Sequence, residues 1–224
     1  IVFSIGIFVT RWIFSKKHEG VGLLKLGSLF DRIYAGIREI LAKPSLLRLA
    51  CTTAAINFVE GICVAALPAR IVGSLHHSDS SIGLILSASA AQNLLLLLLI
   101  SKYFGSIDTR AIFKFGLILV PLGALLFGLT SNIWLSGIGY ILLITGRVLF
   151  VLHMRIERAK LIEPESFSAT MGAFLSIVLL PLPLAGIALS VFGGMLGVEQ
   201  LITYVAFLFA LVTIPVLRLR KEAE

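Results

Sequence analysis

The sequence predicts an all-α membrane protein, and three observations carry that prediction. Of its 224 residues, 58% are hydrophobic and only 14% are charged, against about 25% charged in an ordinary water-soluble domain. The mean hydropathy is +1.03. The apolar residues come in runs near the twenty or so that an α-helix needs to cross a bilayer core. The basic residues fall between those runs and do so unevenly. A formal net charge of +7 therefore reads as a signal of topology rather than as a nucleic-acid-binding face.

The elements follow in order. Ile1 to Phe14 is apolar apart from Arg11 at one end, where a cation snorkels to the surface. It has no charged leader region and no small-residue cleavage site, so it is not a signal peptide. It reads as the end of a transmembrane helix that begins upstream, and the chain as a fragment of a longer protein. A solvated cluster follows at Lys16-Lys17-His18-Glu19.

Residues 15–44 form a linker. Within it Leu26, Leu29, Phe30, Ile33, Ile37, Ile40 and Leu41 recur at three-to-four spacing, marking one face of a helix. Lys25, Asp31, Arg32, Arg38, Glu39 and Lys43 occupy the rest. Ser28-Leu-Phe-Asp31 has the form of a capping box opening that helix. A basic amphipathic helix lies on a membrane surface, or packs on a soluble domain, rather than crossing the bilayer. Lys43-Pro44-Ser45 ends it, because the residue before proline disfavours helix and proline suits a first turn.

Six spans are expected over 45–217, at about 46–71, 82–103, 111–130, 133–153, 168–192 and 199–217. A basic tail occupies 218–224. Lys102, Arg110 and Lys114 flank the second connection, and Arg155, Arg158 and Lys160 lie in the fourth. Arg218, Arg220 and Lys221 mark the tail, while the opposite connections hold only Arg70. Basic residues collect on the cytoplasmic side, so the linker and C-terminus are placed there and the number of spans is even. Ser87-Ala-Ser-Ala-Ala91 and Gly116, Gly123 and Gly128 allow close helix approach. Pro181 and Pro183 remove backbone donors and kink the fifth span, either as a packing irregularity or as a hinge that lets a gate move. Cys51 and Cys63 are twelve residues apart on one helix, about 18 Å, too far for a mutual disulfide.

A few polar residues interrupt the spans. Glu60 lies near the middle of the first, with Asn57 on the same face. An ionisable group at that depth costs about 2.5–3.5 kcal/mol on insertion scales and usually faces a cavity. It can take and release a proton, attract a cationic substrate, or act as a protonated structural carboxyl. Gln92 and Asn93 sit mid-span in the second helix, pointing about 100° apart, so one of them lines a cavity or both bond to neighbouring helices. Arg147 lies in the fourth span, two turns from its expected end. It pairs with a carboxylate, binds an anionic group or snorkels to the surface. Its depth differs from that of Glu60 by one or two turns, so direct contact is not expected. His76-His77 with Asp79 reads as a solvated loop, and His153 with Glu157 lacks a third ligand for a metal. No nucleophile elbow, zinc-protease helix, phosphate loop or Cys-x-x-Cys is present. Neither an enzyme nor a bound cofactor or metal is indicated.

The pattern resembles the C-terminal half of a major facilitator superfamily transporter, a basic amphipathic linker leading into six helices and a basic tail. Three stretches are similar to its drug/proton antiporter branch, which includes macrolide and siderophore exporters. Leu67-Pro68-Ala-Arg70 closes the first span. Phe104-Gly105-Ser-Ile-Asp108-Thr-Arg110 stands where that family carries a Gly/Asp/Arg loop, without the adjacent Asp-Arg pair. Arg158-Ala-Lys-Leu-Ile-Glu-Pro164-Glu-Ser-Phe-Ser-Ala-Thr-Met-Gly172 stands between the fourth and fifth spans. The resemblance implies two inverted three-helix repeats, about 46–130 and 133–217. The first, second, fourth and fifth spans would line the pathway and the third and sixth would face lipid. It also implies proton-coupled efflux of small amphipathic compounds across a bacterial inner membrane. The implied partners are a small-molecule substrate, protons, the lipid bilayer and a missing N-terminal six-helix half, without which this chain would not transport. Uptake, lipid translocation and a non-transporting scaffold or receptor subunit are the alternatives.

Overall fold

The computed structural model describes residues 26–103 and 109–219. The expected helix end at 1–14, the charge cluster at 16–19, most of the Gly/Asp/Arg-like loop and the end of the tail lie outside these residues. The described residues form helices joined by short connections. In order it comprises α1 (Leu26–Ala42), α2 (Pro44–Pro68, prolonged by a π-helical stretch, Ala69–Ser74), α3 (Asp79–Tyr103), α4 (Thr109–Leu129) and α5 (Ile133–Leu161). Next come α6 (Phe167–Leu179), α7 (Pro181–Leu196) and α8 (Val198–Leu219). Five helices are long and apolar enough to cross a membrane: α2 with its extension, α3, α4, α5, and α6 with α7 as one unit over Phe167–Leu196. The apolar stretch of α8 described by side chains, Val198–Thr213, is shorter. The chain is an α-helical, multi-pass membrane protein.

The boundaries follow local chemistry. Lys43 is extended (φ −108°, ψ 97°) and Pro44 opens α2, so one residue separates α1 from the first span. Asn132 caps α5, its side chain accepting from the Trp134 and Leu135 amides at 2.9 and 3.2 Å, so Ser131-Asn132 is a true break. Gly197 turns the chain at φ +87°, a conformation that needs glycine. Ser28 already lies inside α1, so the capping box does not open that helix. Helix α5 runs eight residues past the expected end at 153, because Arg155, Glu157, Arg158 and Lys160 continue it as a charged, partly exposed stretch.

Two clusters fix the ends of the bundle. At the α1 end, the Lys43 ammonium donates to Glu39 (3.0 Å), to the Leu161 carbonyl (3.2 Å) and to Glu163 (2.7 Å). The Thr170 hydroxyl donates to Glu39. This joins α1 to the end of α5 and the start of α6. At the far end Arg70, only 2% exposed, donates to the Phe127 carbonyl (3.2 Å), the Thr130 carbonyl and Glu199. Expected as a loop charge, Arg70 is instead the buried tie between α2, α4 and α8. It satisfies carbonyls at the end of α4 that no helical N–H can reach. Helix α8 starts at this far end and returns along α2, where Val205, Leu208, Phe209 and Val212 share a groove with Ala55, Phe58 and Val59.

The tightest packing is between α4 and α5. A Cβ on Gly116 would sit 2.7 Å from the Gly146 carbonyl oxygen, and one on Gly139 2.5 Å from the Phe127 amide. Gly123 faces Gly139 with the same lack of room. Gly128 meets Ile202 of α8, and Gly61 meets Ala185 of α7 at 2.7 Å. Within Ser87–Ala91, by contrast, only Ser89 is buried and the other four residues are exposed. Helices α3 and α6–α7 are the least enclosed spans. Leu94, Leu95, Leu97, Leu98 and Leu99 of α3 and Ile187, Val191, Phe192 and Met195 of α7 are exposed.

Candidate functional site

Glu60 stands halfway along the first span, sixteen residues after Pro44 and fourteen before Ser74. Its packing places it there: Gly61 lets α7 approach on one side, while Ile56, Val59, Ile62 and Cys63 are buried around it. The residue is 9% exposed. Its carboxylate meets Arg147 of α5, Oε2 to Nε at 2.5 Å. These two atoms have no partner with hydrogen-bond geometry, so the contact is a close charge pair rather than an aligned N–H···O bond. The Arg147 side chain keeps 37% of its surface exposed, leaving the pair open on one side.

This overturns the expected mismatch of depth. The expectation ended the fourth span at 153 and set Arg147 two turns from its end; with α5 running on to Leu161, Arg147 lies deeper, level with Glu60. Arg147 pairs with the carboxylate rather than snorkelling. Tyr140 is buried two turns earlier on α5.

Asn57 is 5% exposed and faces the other neighbour. Its Nδ2 donates to the Val178 carbonyl of α6 at 2.5 Å. That carbonyl lies three residues before Pro181, at the place where the fifth span changes helix. Leu180 keeps helical angles (φ −52°, ψ −37°), yet α6 ends at Leu179 and α7 begins at Pro181. Pro181 and Pro183, without N–H groups, cannot donate to the Ile177 and Leu179 carbonyls. The interruption expected from these prolines is therefore present, and Asn57 is bonded to its edge.

Gln92 and Asn93 are both half-buried on α3. Their side-chain carbonyl oxygens, Oε1 and Oδ1, are enclosed and have no partner among the described residues. Helix α3 runs parallel to α5: Ile85 lies against Gly137, and Ile100 belongs to the apolar cluster that Leu152 packs on. Of the five expected pathway residues, Glu60 and Arg147 touch and Asn57 is taken up by a helix–helix bond, while Gln92 and Asn93 stand on a different helix, α3.

Sequence reasoning missed the two end clusters. Lys43, Glu39, Glu163 and Thr170 are separated by up to 131 residues, and nothing local pairs them. A signal for Arg70 was present, since it was the sole cation on its side and Glu199 was near the start of the last span.

Comparison of the chain with protein-family models, with characterised proteins and with solved structures finds no match.

Proposed function

We propose that this chain is a six-helix half of a secondary active transporter, of major facilitator type, and that it serves proton-coupled efflux of small amphipathic compounds. The observation that carries the reading is the Glu60–Arg147 pair, halfway along a span and open on one side. A pair of apolar residues would hold two helices at least as well, because desolvating two charges offsets their attraction. What an apolar pair cannot do is exchange. Protonation of Glu60, or a cationic group arriving beside it, releases Arg147; loss of the proton restores the pair. That cycle gives α2 and α5 two alternative contacts, which is the element that alternating access requires. The bare acceptors of Gln92 and Asn93 supply orienting polar contacts in an otherwise apolar surround, as small-molecule sites do. Pro181 and Pro183 would provide the bend about which α7 moves. By this reading the linker and C-terminus are cytoplasmic and the membrane is the inner membrane of a bacterium. The exposed faces of α3 and α7 would meet the other half of the transporter.

The experiment is dye efflux from vesicles holding the complete transporter, with and without an imposed proton gradient. Gradient-driven movement of amphipathic dyes in the wild type, and its loss in Glu60→Gln at unchanged expression, is the expected result. Undiminished gradient-driven movement in Glu60→Gln would refute the coupling role. Wild-type vesicles that move no dye under any gradient would refute transport. The Asn57–Val178 bond favours a second reading, a non-transporting membrane scaffold in which these polar groups only join helices. On that reading Glu60→Gln leaves function intact.

A further inference from the structure

Helix α1 has two apolar faces, and the fold uses one. At 100° per residue, Gly36, Glu39 and Ile40 share a side, with Lys43 just beyond. That side docks on α6: a Cβ on Gly36 would fall 3.0 Å from the Ala173 Cβ, Ile40 is fully buried, and Glu39 is bound by Thr170 and Lys43. Ile33, Tyr34, Ile37 and Leu41 form a second stripe about 100° wide, and these four are 47%, 69%, 37% and 61% exposed. The remaining side, with Asp31, Ala35, Arg38 and Ala42, is exposed and small or charged.

We propose that this second stripe is seated in the headgroup–acyl boundary of an anionic membrane leaflet. Three features of the fold select that occupant. The first span begins two residues after α1 ends, which holds α1 at the level of the bilayer edge. The stripe has the make-up of an interfacial face, with branched aliphatic residues and one tyrosine whose ring suits an apolar body and a wet tip. The exposed charge at this end of the bundle is also basic. Arg38 borders the stripe and Arg48 stands one turn into α2, with Lys114 and Arg155 exposed around the same end, against Asp31 and Glu165. Anionic headgroups complement that excess, and an amphipathic helix with cations at its polar border binds such surfaces. Because the adjoining face of α1 is fixed to α6, the leaflet gains a hold on the span that carries the proline break.

The test uses the full chain with both native cysteines replaced and one environment-sensitive fluorophore attached at Ile37→Cys, Tyr34→Cys or Ala35→Cys. It is reconstituted in phosphatidylcholine vesicles with or without phosphatidylglycerol. A lipid-borne nitroxide should quench the probe at 37 and 34 several-fold more than at 35, and a neutral water-soluble nickel chelate should do the reverse. Phosphatidylglycerol should deepen the quenching at 37; high salt should remove that increase and Arg38→Gln should reduce it. Equal quenching at 35 and 37 overturns the proposal. So does protection of 37 from both quenchers, which would mean that a protein partner or a second copy covers the stripe. Quenching at 37 that ignores phosphatidylglycerol overturns the anionic assignment.

Discussion

Glu60 has one charged partner, Arg147, and the energetics of the pair can be read by removing that partner. Breaking a buried pair from one side costs about 3–5 kcal/mol, because an uncompensated charge remains. Arg147 retains 37% exposure, so solvent screens part of this and about 1–3 kcal/mol is expected. Arg147→Met should lower stability in detergent by that amount, and Glu60→Gln with Arg147→Met should recover most of it, measured as a double-mutant cycle by thermal unfolding. Additive losses would mean that the two side chains do not interact. The residue scale is also where the sequence was partly legible. A carboxylate in a twenty-residue apolar run was plain from the letters alone, and so was an arginine in another. Their contact was not, because a register between two helices depends on where each ends. The end of α5 was hidden by Arg155, Glu157, Arg158 and Lys160, which look like a loop and are a helix.

At the scale of elements, two devices join the helices. The first is the α4–α5 seam, where Gly116 faces Gly146 and Gly123 faces Gly139. Such spacing of small residues lets backbones approach where lipid offers no hydrophobic drive for association. Gly139→Ala would place a methyl 2.5 Å from the Phe127 amide, whereas Gly186→Ala meets nothing within 4 Å. Gly139→Ala should therefore cost a few kcal/mol, the scale of an overpacked core, and Gly186→Ala should be neutral, as checked by thermal unfolding in one detergent. The glycines of α4 were legible as packing sites, but their partners on α5 were not, because pairing is a property of two helices. The second device is the Glu39–Lys43 cluster. Burial alone would raise the Glu39 carboxyl, but hydrogen bonds from Ser166, Thr170 and Lys43, together with the Lys43 charge, outweigh it and hold the group at about 2, below its ordinary 4.5. Hydrogen bonds to Glu163 and Glu39 raise the Lys43 ammonium above 10.5. A lowered acid stabilises the docked state above its ordinary value and loses that contribution as pH falls through the folded one. A raised base contributes below its ordinary value and loses it as pH rises past the folded one. The docking of α1 should thus be constant between 4.5 and 10.5 and weaken outside that window. Spin labels at Ala35→Cys and Glu165→Cys would report it as a narrow distance distribution that broadens as pH falls from 4.5 towards 2. Lys43→Gln should broaden it at neutral pH, and a distribution indifferent to both changes would dismiss the clamp.

At the scale of the whole molecule, composition and charge placement made the class legible before any helix pair was known. Apolar runs of bilayer length fixed the crossings to within a few residues for α2, α3 and α4, since each is bounded by proline, serine or glycine chemistry that acts locally. What stayed hidden was enclosure. Helices α3 and α5 have similar hydropathy, yet α3 is exposed along most of its length and α5 is wrapped by α2, α3 and α4. Lipid-facing and protein-facing leucines are alike in composition, so periodicity cannot separate them. Sidedness, in contrast, is fixed by geometry. The Arg70 cluster gathers the ends of α2 and α4 with the start of α8, and the Lys43 cluster gathers the start of α2 with the end of α5. The two clusters must therefore lie on opposite faces of the membrane. In the proposed orientation the basic excess puts the Lys43 end on the cytoplasmic face. In a cysteine-free background, Ser78→Cys should react with a membrane-impermeant maleimide in intact cells. Glu163→Cys should react only after permeabilisation. Labelling of both in intact cells would break the two-ended arrangement, and the reverse pattern would invert the orientation while leaving the fold in place.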